Sequence, residues 1–86
     1  MTFEVIFDEE VIEFLNKLSK NTKERIFNKI ISTKENPFHF FERLAGKNLY
    51  KLRIGYFRAI ADIDAESKKV QVVLIGHRKN IYKNWK

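Results

Sequence analysis

The chain has 86 residues, 44% of them hydrophobic and 14% aromatic, with 17 Lys and Arg against 11 Asp and Glu for a net charge of +6. That length supplies one domain, residues 1–86, with enough apolar surface for a core, and it excludes a second core, a repeat array and wholesale disorder. The absence of cysteine excludes a disulfide scaffold, a thiolate metal site and a cysteine nucleophile, and it suits a reducing cytoplasm.

Residues Thr2 to Phe7 alternate, with Phe3, Val5 and Phe7 on one side, and read as a strand. Asp8 is placed to cap a helix over 9–18, whose first turn carries Glu9 and Glu10 and whose stripe is Val11, Phe14, Leu15 and Leu18. After the break at Ser19-Lys20, Asn21 with Glu24 resembles a capping box for a second helix. Ile26, Phe27, Ile30 and Ile31 form its stripe, and Pro37 ends it near Glu35. Residues 36–47 read as irregular, with the aromatic loop 38–41 (Phe38, Phe40 and Phe41) forming a lid on the core rather than a base-stacking platform. Three strands follow: 48–54, closed by a turn at Gly55; 57–64, closed by 65–68; and 70–75, apolar on both faces apart from Gln71. Asp62 and Asp64 are expected to pair with basic residues at the strand ends. The tail 79–86 holds Tyr82 and Trp85 and reads as a last helical turn.

The fold class is therefore α+β, an N-terminal strand and helical hairpin packed on a small antiparallel sheet. The longest aliphatic run, Val72 to Ile75, is far short of a membrane span, and the acidic, strand-like start is unlike a signal peptide. No membrane partner is expected.

Charge is unevenly spread. Residues 1–42 carry six basic and eight acidic side chains, whereas residues 43–86 carry eleven basic and three acidic. Such asymmetry suits a polyanion partner for the C-terminal half. Alternation places Tyr50, Leu52, Ile54, Phe57, Ala59 and Ala61 toward the helices, so Lys51, Arg53 and Arg58 gather on the opposite face. Like charges so placed repel, and a visiting anion would account for them.

Three segments carry a resemblance. Tyr50-Lys51-Leu52-Arg53-Ile54-Gly55-Tyr56-Phe57-Arg58, then Ile75-Gly76-His77-Arg78, then Ile81-Tyr82, in this order of elements, resemble the RelE/ParE superfamily of toxins over essentially the whole chain. The resemblance implies the toxin of a type II toxin–antitoxin pair, held by a cognate RelB-like antitoxin. It further implies a cytoplasmic, ribosome-dependent mRNA endoribonuclease that cuts in the A site and needs no metal and no small-molecule cofactor. Lys51, Arg58, Arg78 and Tyr82 occupy matching catalytic places. Lys47, Arg53, Lys79 and Lys83 would bind RNA, both mRNA and rRNA. Leu49 stands where RelE has a second functional lysine, and the step from Arg78 to Tyr82 is two residues shorter than in RelE. The ParE branch shares the fold and part of the motif but inhibits gyrase without cutting nucleic acid. A family member that binds RNA with impaired catalysis is a third reading.

The implied chemistry needs a proton acceptor for the 2′-hydroxyl, a cation for the phosphorane and a proton donor for the leaving oxygen. Arg58 and Arg78 suit the second role, because a guanidinium grips two phosphate oxygens and stays charged. Tyr82, beside cations, would serve as base or stack on a nucleobase, and Lys51 as acid or charge stabiliser. Imidazoles titrate near neutrality, yet His77 adjoins Arg78 in a strand and faces the other way. It is read as structural, as is His39. With two distant histidines and no cysteine, no metal site is expected.

Overall fold

The computed structural model describes residues 2–44 and 49–79. In chain order the elements are β1 (Glu4–Phe7), α1 (Glu9–Asn16), α2 (Lys20–Ser32), α3 (Pro37–Phe40), β2 (Glu42–Arg43), β3 (Tyr50–Ile54), β4 (Phe57–Asp64) and β5 (Lys69–His77). The five strands form one sheet in the order β1-β5-β4-β3-β2. β1 runs parallel to β5 and the other pairs are antiparallel. The expected α+β class and helical hairpin are present. The expected last turn over 79–86 lies almost wholly outside the described residues.

The helix starts follow from their caps. Ser19, not Asn21, caps α2: its Oγ accepts from the Thr22 amide at 3.4 Å, so the helix begins at Lys20. Both residues are good caps, and the hydroxyl that meets an open amide decides between them. Asp8 occupies the cap position of α1, but its Oδ1 accepts from Gln71 Nε2 at 2.8 Å and ties the strand–helix junction to β5. α2 ends at Ser32, earlier than Glu35. The buried Thr33 follows it and donates its hydroxyl to the Ile30 carbonyl at 2.6 Å. Pro37 then opens α3 as its first helical residue, a place where the missing N–H costs nothing. The segment read as irregular therefore holds a helical turn and a two-residue strand.

One face of the sheet takes the helices, α1 on β5 and α2 on β3. Val11, Leu15, Ile26 and Ile30 meet Leu52, Ile54, Ala59, Ala61, Val70, Val72 and Ile75 in one buried cluster. Each large side chain so buried contributes about 1.5–3 kcal/mol. Phe27 belongs to the predicted stripe but is exposed and stacks on Phe7, with ring centroids 5.4 Å apart. The apolar run in β5 has a local cause. A register shift at Ile60/Ala61 pairs Ala61 with Val72 and Ile60 with Leu74. This bulge re-phases the strand, so Val70, Val72 and Ile75 all face the helices.

Two turns hold the strands in register. Gly55 and Tyr56 join β3 to β4, and Gly55 has φ of 59°. Positive φ at the first of two loop residues is the type II′ pattern, whose twist matches that of the strands. Between β4 and β5, Asp64 does not act mainly by ion pairing. The Ser67 hydroxyl and the Glu66 amide, the latter at 2.9 Å, hydrogen-bond its carboxylate and hold its pKa below the ordinary value; Lys69 adds a smaller effect. Among the described residues, no helix is long and apolar enough to cross a membrane.

Gly55→Ala adds a side chain in the left-handed region, at a cost of about 1–2 kcal/mol, and thermal denaturation should show a melting point lower by about 4–16 °C. Folding lowers the Asp64 pKa, so its contribution is complete above the unfolded value near 3.9 and fades as pH falls through the folded value. Asp64→Ala should melt below wild type at neutral pH, and that gap should narrow on acidification.

Candidate functional site

β3 and β4 place the predicted cations together. Their register sets Arg53 directly opposite Arg58 and Lys51 opposite Ile60. Leu52, Ile54, Ala59 and Ala61 point into the helix-side core, so pleat alternation puts Lys51, Arg53 and Arg58 on the outer face. A concave pocket of about 440 Å³ opens there, lined by Lys51, Arg53 and Arg58 together with His39, Phe40, Phe41 and Glu42. Arg53 is exposed, while Lys51 and Arg58 are half-buried and the Arg58 Nε is shielded from water.

β5 adds to the same face. Gly76 stands opposite Arg58 and contributes no side chain there. The Arg78 amide donates to the Tyr56 carbonyl at 2.7 Å, which carries the pairing one residue past the end of the strand. Alternation from Gly76 assigns Arg78 to the outer face, beside Arg58. His77 takes the other side, its ring 5.4 Å from Phe57 and 6.4 Å from Tyr56. It is an exposed neighbour of the hairpin rather than part of the pocket. Lys79 is exposed just beyond Arg78. Lys47, Tyr82 and Lys83 lie outside the described residues.

Three pocket residues, Glu42, His39 and Phe40, were not singled out as functional from the sequence. Glu42 faces Lys51 in the β2–β3 register, and its Oε1 lies 3.4 Å from Lys51 Nζ. At 75% exposure for the Glu42 side chain, such a pair contributes about 0–1 kcal/mol, so stability does not explain it. His39, read as structural, is exposed on α3 at the pocket wall. The signal for both was Pro37, which marks a helix start as readily as a helix stop. The expected lid is only partly a lid. Phe41 is buried and Phe38 packs edge-on against Phe3 and Tyr50, but Phe40 lines the pocket.

The arrangement offers positive charge for an anion about the size of a phosphodiester, a carboxylate at its rim, and an ammonium group in contact with that carboxylate. Among the described residues no three His, Asp or Glu side chains converge as metal ligands.

The family profile for the ParE toxin of the type II toxin–antitoxin system parDE matches residues 5–82. The chain belongs to this family of the RelE/ParE superfamily. It is thus the toxin of a type II toxin–antitoxin system. No curated protein sequence matches the toxin at a significant level. Among solved structures, the RelBE2 toxin–antitoxin complex of Mycobacterium tuberculosis is similar with a TM-score of 0.79 at 20% identity, over 91% of this chain and 100% of that one. An archaeal RelE–RelB complex from Pyrococcus horikoshii gives 0.78 at 24% identity, over 91% and 97%. A free RelE toxin variant of E. coli gives 0.78 at 23%, over 95% and 90%. At these identities the likeness establishes a RelE-type fold.

Proposed function

We propose that the toxin is a ribosome-dependent mRNA endoribonuclease that stops translation by cutting mRNA in the A site. The observation that carries this reading is the convergence of Lys51, Arg53 and Arg58 on one pocket with a carboxylate at its rim. A pocket that only bound phosphate would gain nothing from Glu42, whereas cleavage needs a proton acceptor beside the cations.

The substrate's own 2′-hydroxyl attacks the adjacent phosphorus. Glu42 takes its proton, the O2′–P bond forms and the bond to the 5′-oxygen breaks. Lys51 hands a proton to that oxygen, giving a 2′,3′-cyclic phosphate and a 5′-hydroxyl. Arg58 and Arg78 hold the equatorial oxygens as negative charge builds. Tyr82 retains the role that the family resemblance gives it, as an alternative base or a stacking ring. Arg53 lines the pocket beside Arg58 and binds the RNA backbone there, while Lys79, Lys47 and Lys83 supply long-range attraction to mRNA and rRNA, which salt weakens. The partner is a RelB-like antitoxin, as in the relatives solved as complexes, and the working compartment is the cytoplasm.

A second reading is supported by the matching profile itself, which is that of ParE: inhibition of gyrase without cleavage. The two separate in one experiment, in which the purified toxin is added to a translating extract and mRNA 5′ ends are mapped. Codon-phased cuts that fall by about 10²-fold or more in rate in Arg58→Ala or Arg78→Ala support the nuclease. Intact mRNA with blocked supercoiling in a gyrase assay supports the second reading. Intact mRNA with salt-sensitive ribosome binding leaves an RNA binder without catalysis.

Glu42→Gln removes the acceptor and one negative charge together. Single-turnover cleavage should slow by about 10²-fold or more, while binding to an uncleavable 2′-O-methyl mRNA should hold or tighten. Equal loss of both would assign Glu42 a structural part only.

A further inference from the structure

Part of the lining of the cationic pocket is aromatic. α3 is only Pro37–Phe40, and its residues divide their duties. Pro37 is buried and anchors the turn, while Phe38 meets Phe3 and Tyr50. The next ring after the turn, Phe41, is buried in the core. Phe40 does neither: though Phe38 is exposed to the same extent, Phe40 lines the pocket with His39, whose ring lies 4.9 Å away and edge-on. Lys29, from the last turn of α2, sets its Nζ 5.3 Å from the centre of the Phe40 ring.

Three features therefore meet at one place: an exposed aromatic ring, a cation over it, and two arginines lining the same pocket of about 440 Å³. Exposed Ile12 and Phe27 lie elsewhere, in a mostly apolar groove with Phe7 and Leu15 where, among the described residues, Lys23 is the only lining cation and no arginine takes part. A nucleotide is a flat apolar ring joined to an anion, and it satisfies both kinds of lining at once. Its phosphate takes Arg53 and Arg58 while its base covers Phe40. An acidic peptide would satisfy the cations but leave the ring face in water.

We propose that Phe40, flanked by His39 and Lys29, is the stacking platform for a nucleobase next to the phosphate held by Arg53 and Arg58. Resting on the RNA reading of this pocket, the assignment makes α3 a determinant of which nucleotide the toxin accepts. Stacking on a ring tolerates all bases but favours those with the larger π-surface, so purines should be preferred at that position.

Ribosomes programmed with an uncleavable 2′-O-methyl mRNA, carrying 2-aminopurine at each A-site codon position in turn, test the assignment. Wild-type toxin should bind and quench the fluorophore at one position. Phe40→Leu keeps the apolar bulk without the π-face, and it should lose that quenching and bind about tenfold more weakly. Phe40→Trp should restore both. Unchanged quenching and affinity in Phe40→Leu would overturn the platform while leaving the RNA reading intact. A uniform loss of affinity with quenching retained would also overturn it, because a general charge or folding effect is then at work. A wild-type toxin that melts cooperatively but does not bind the programmed ribosome would instead remove the RNA reading itself.

Discussion

Two arginines face one another across a β-hairpin, and the hairpin keeps them there. The Gly55-Tyr56 loop sets the pairing of Arg53 with Arg58, and everything on the outer face takes its position from that pairing. A slip of β3 by one residue against β4 would turn the Arg53 guanidinium into the helix-side core and bring Leu52 and Ile54 onto the outer face. Burial on the inner face therefore enforces the opposite placement: Leu52, Ile54, Ala59 and Ala61 hold the register by hydrophobic burial, and the repulsion between the arginines is the cost of that arrangement. The charge cluster is a consequence of the core as much as of selection on the surface.

The pocket's electrostatics are more balanced than a count of cations implies. Lys51 lies against Glu42, so the charge presented to an incoming phosphate comes mainly from the arginines. Such a division suits proton transfer. In the proposed nuclease the arginines would stabilise the phosphorane while the Lys51–Glu42 pair serves the proton transfer. The short β2 is what delivers the carboxylate, since its register with β3 places Glu42 on Lys51.

Much of this was legible in the sequence because strands repeat every two residues. Alternation alone assigns Lys51, Arg53 and Arg58 to one face, and the helix-side core from Leu52 to Ala61 follows from the same rule. The motifs around Gly55 and Gly76-His77-Arg78 pointed to the correct superfamily. What escaped was short or doubly determined. β2 has two residues, too few for any period to register. α3 is one turn, and its proline reads equally as an ending or a beginning. Ser19 and Asn21 compete for one cap, and Asp8 spends its carboxylate on Gln71. In β5 the bulge shifts the phase mid-strand, so the pattern looks uniformly apolar. The residues missed at the pocket, His39, Phe40 and Glu42, all come from this short-range region. They reach the cations through the tertiary fold rather than through spacing.

The parallel pairing of β1 with β5 joins the two ends of the chain, Glu4 with Lys69 through Phe7 with Val72. The first strand to leave a translating ribosome must wait for almost the whole chain before it can find its neighbour. Contacts of such long sequence separation form late, because loop closure must precede them. The outer face inherits part of that delay, since Arg78 is set beside Arg58 only when β5 docks on β4. A nascent chain thus holds Arg53 and Arg58 together in the β3–β4 hairpin while Arg78 still waits for β5 to emerge and dock.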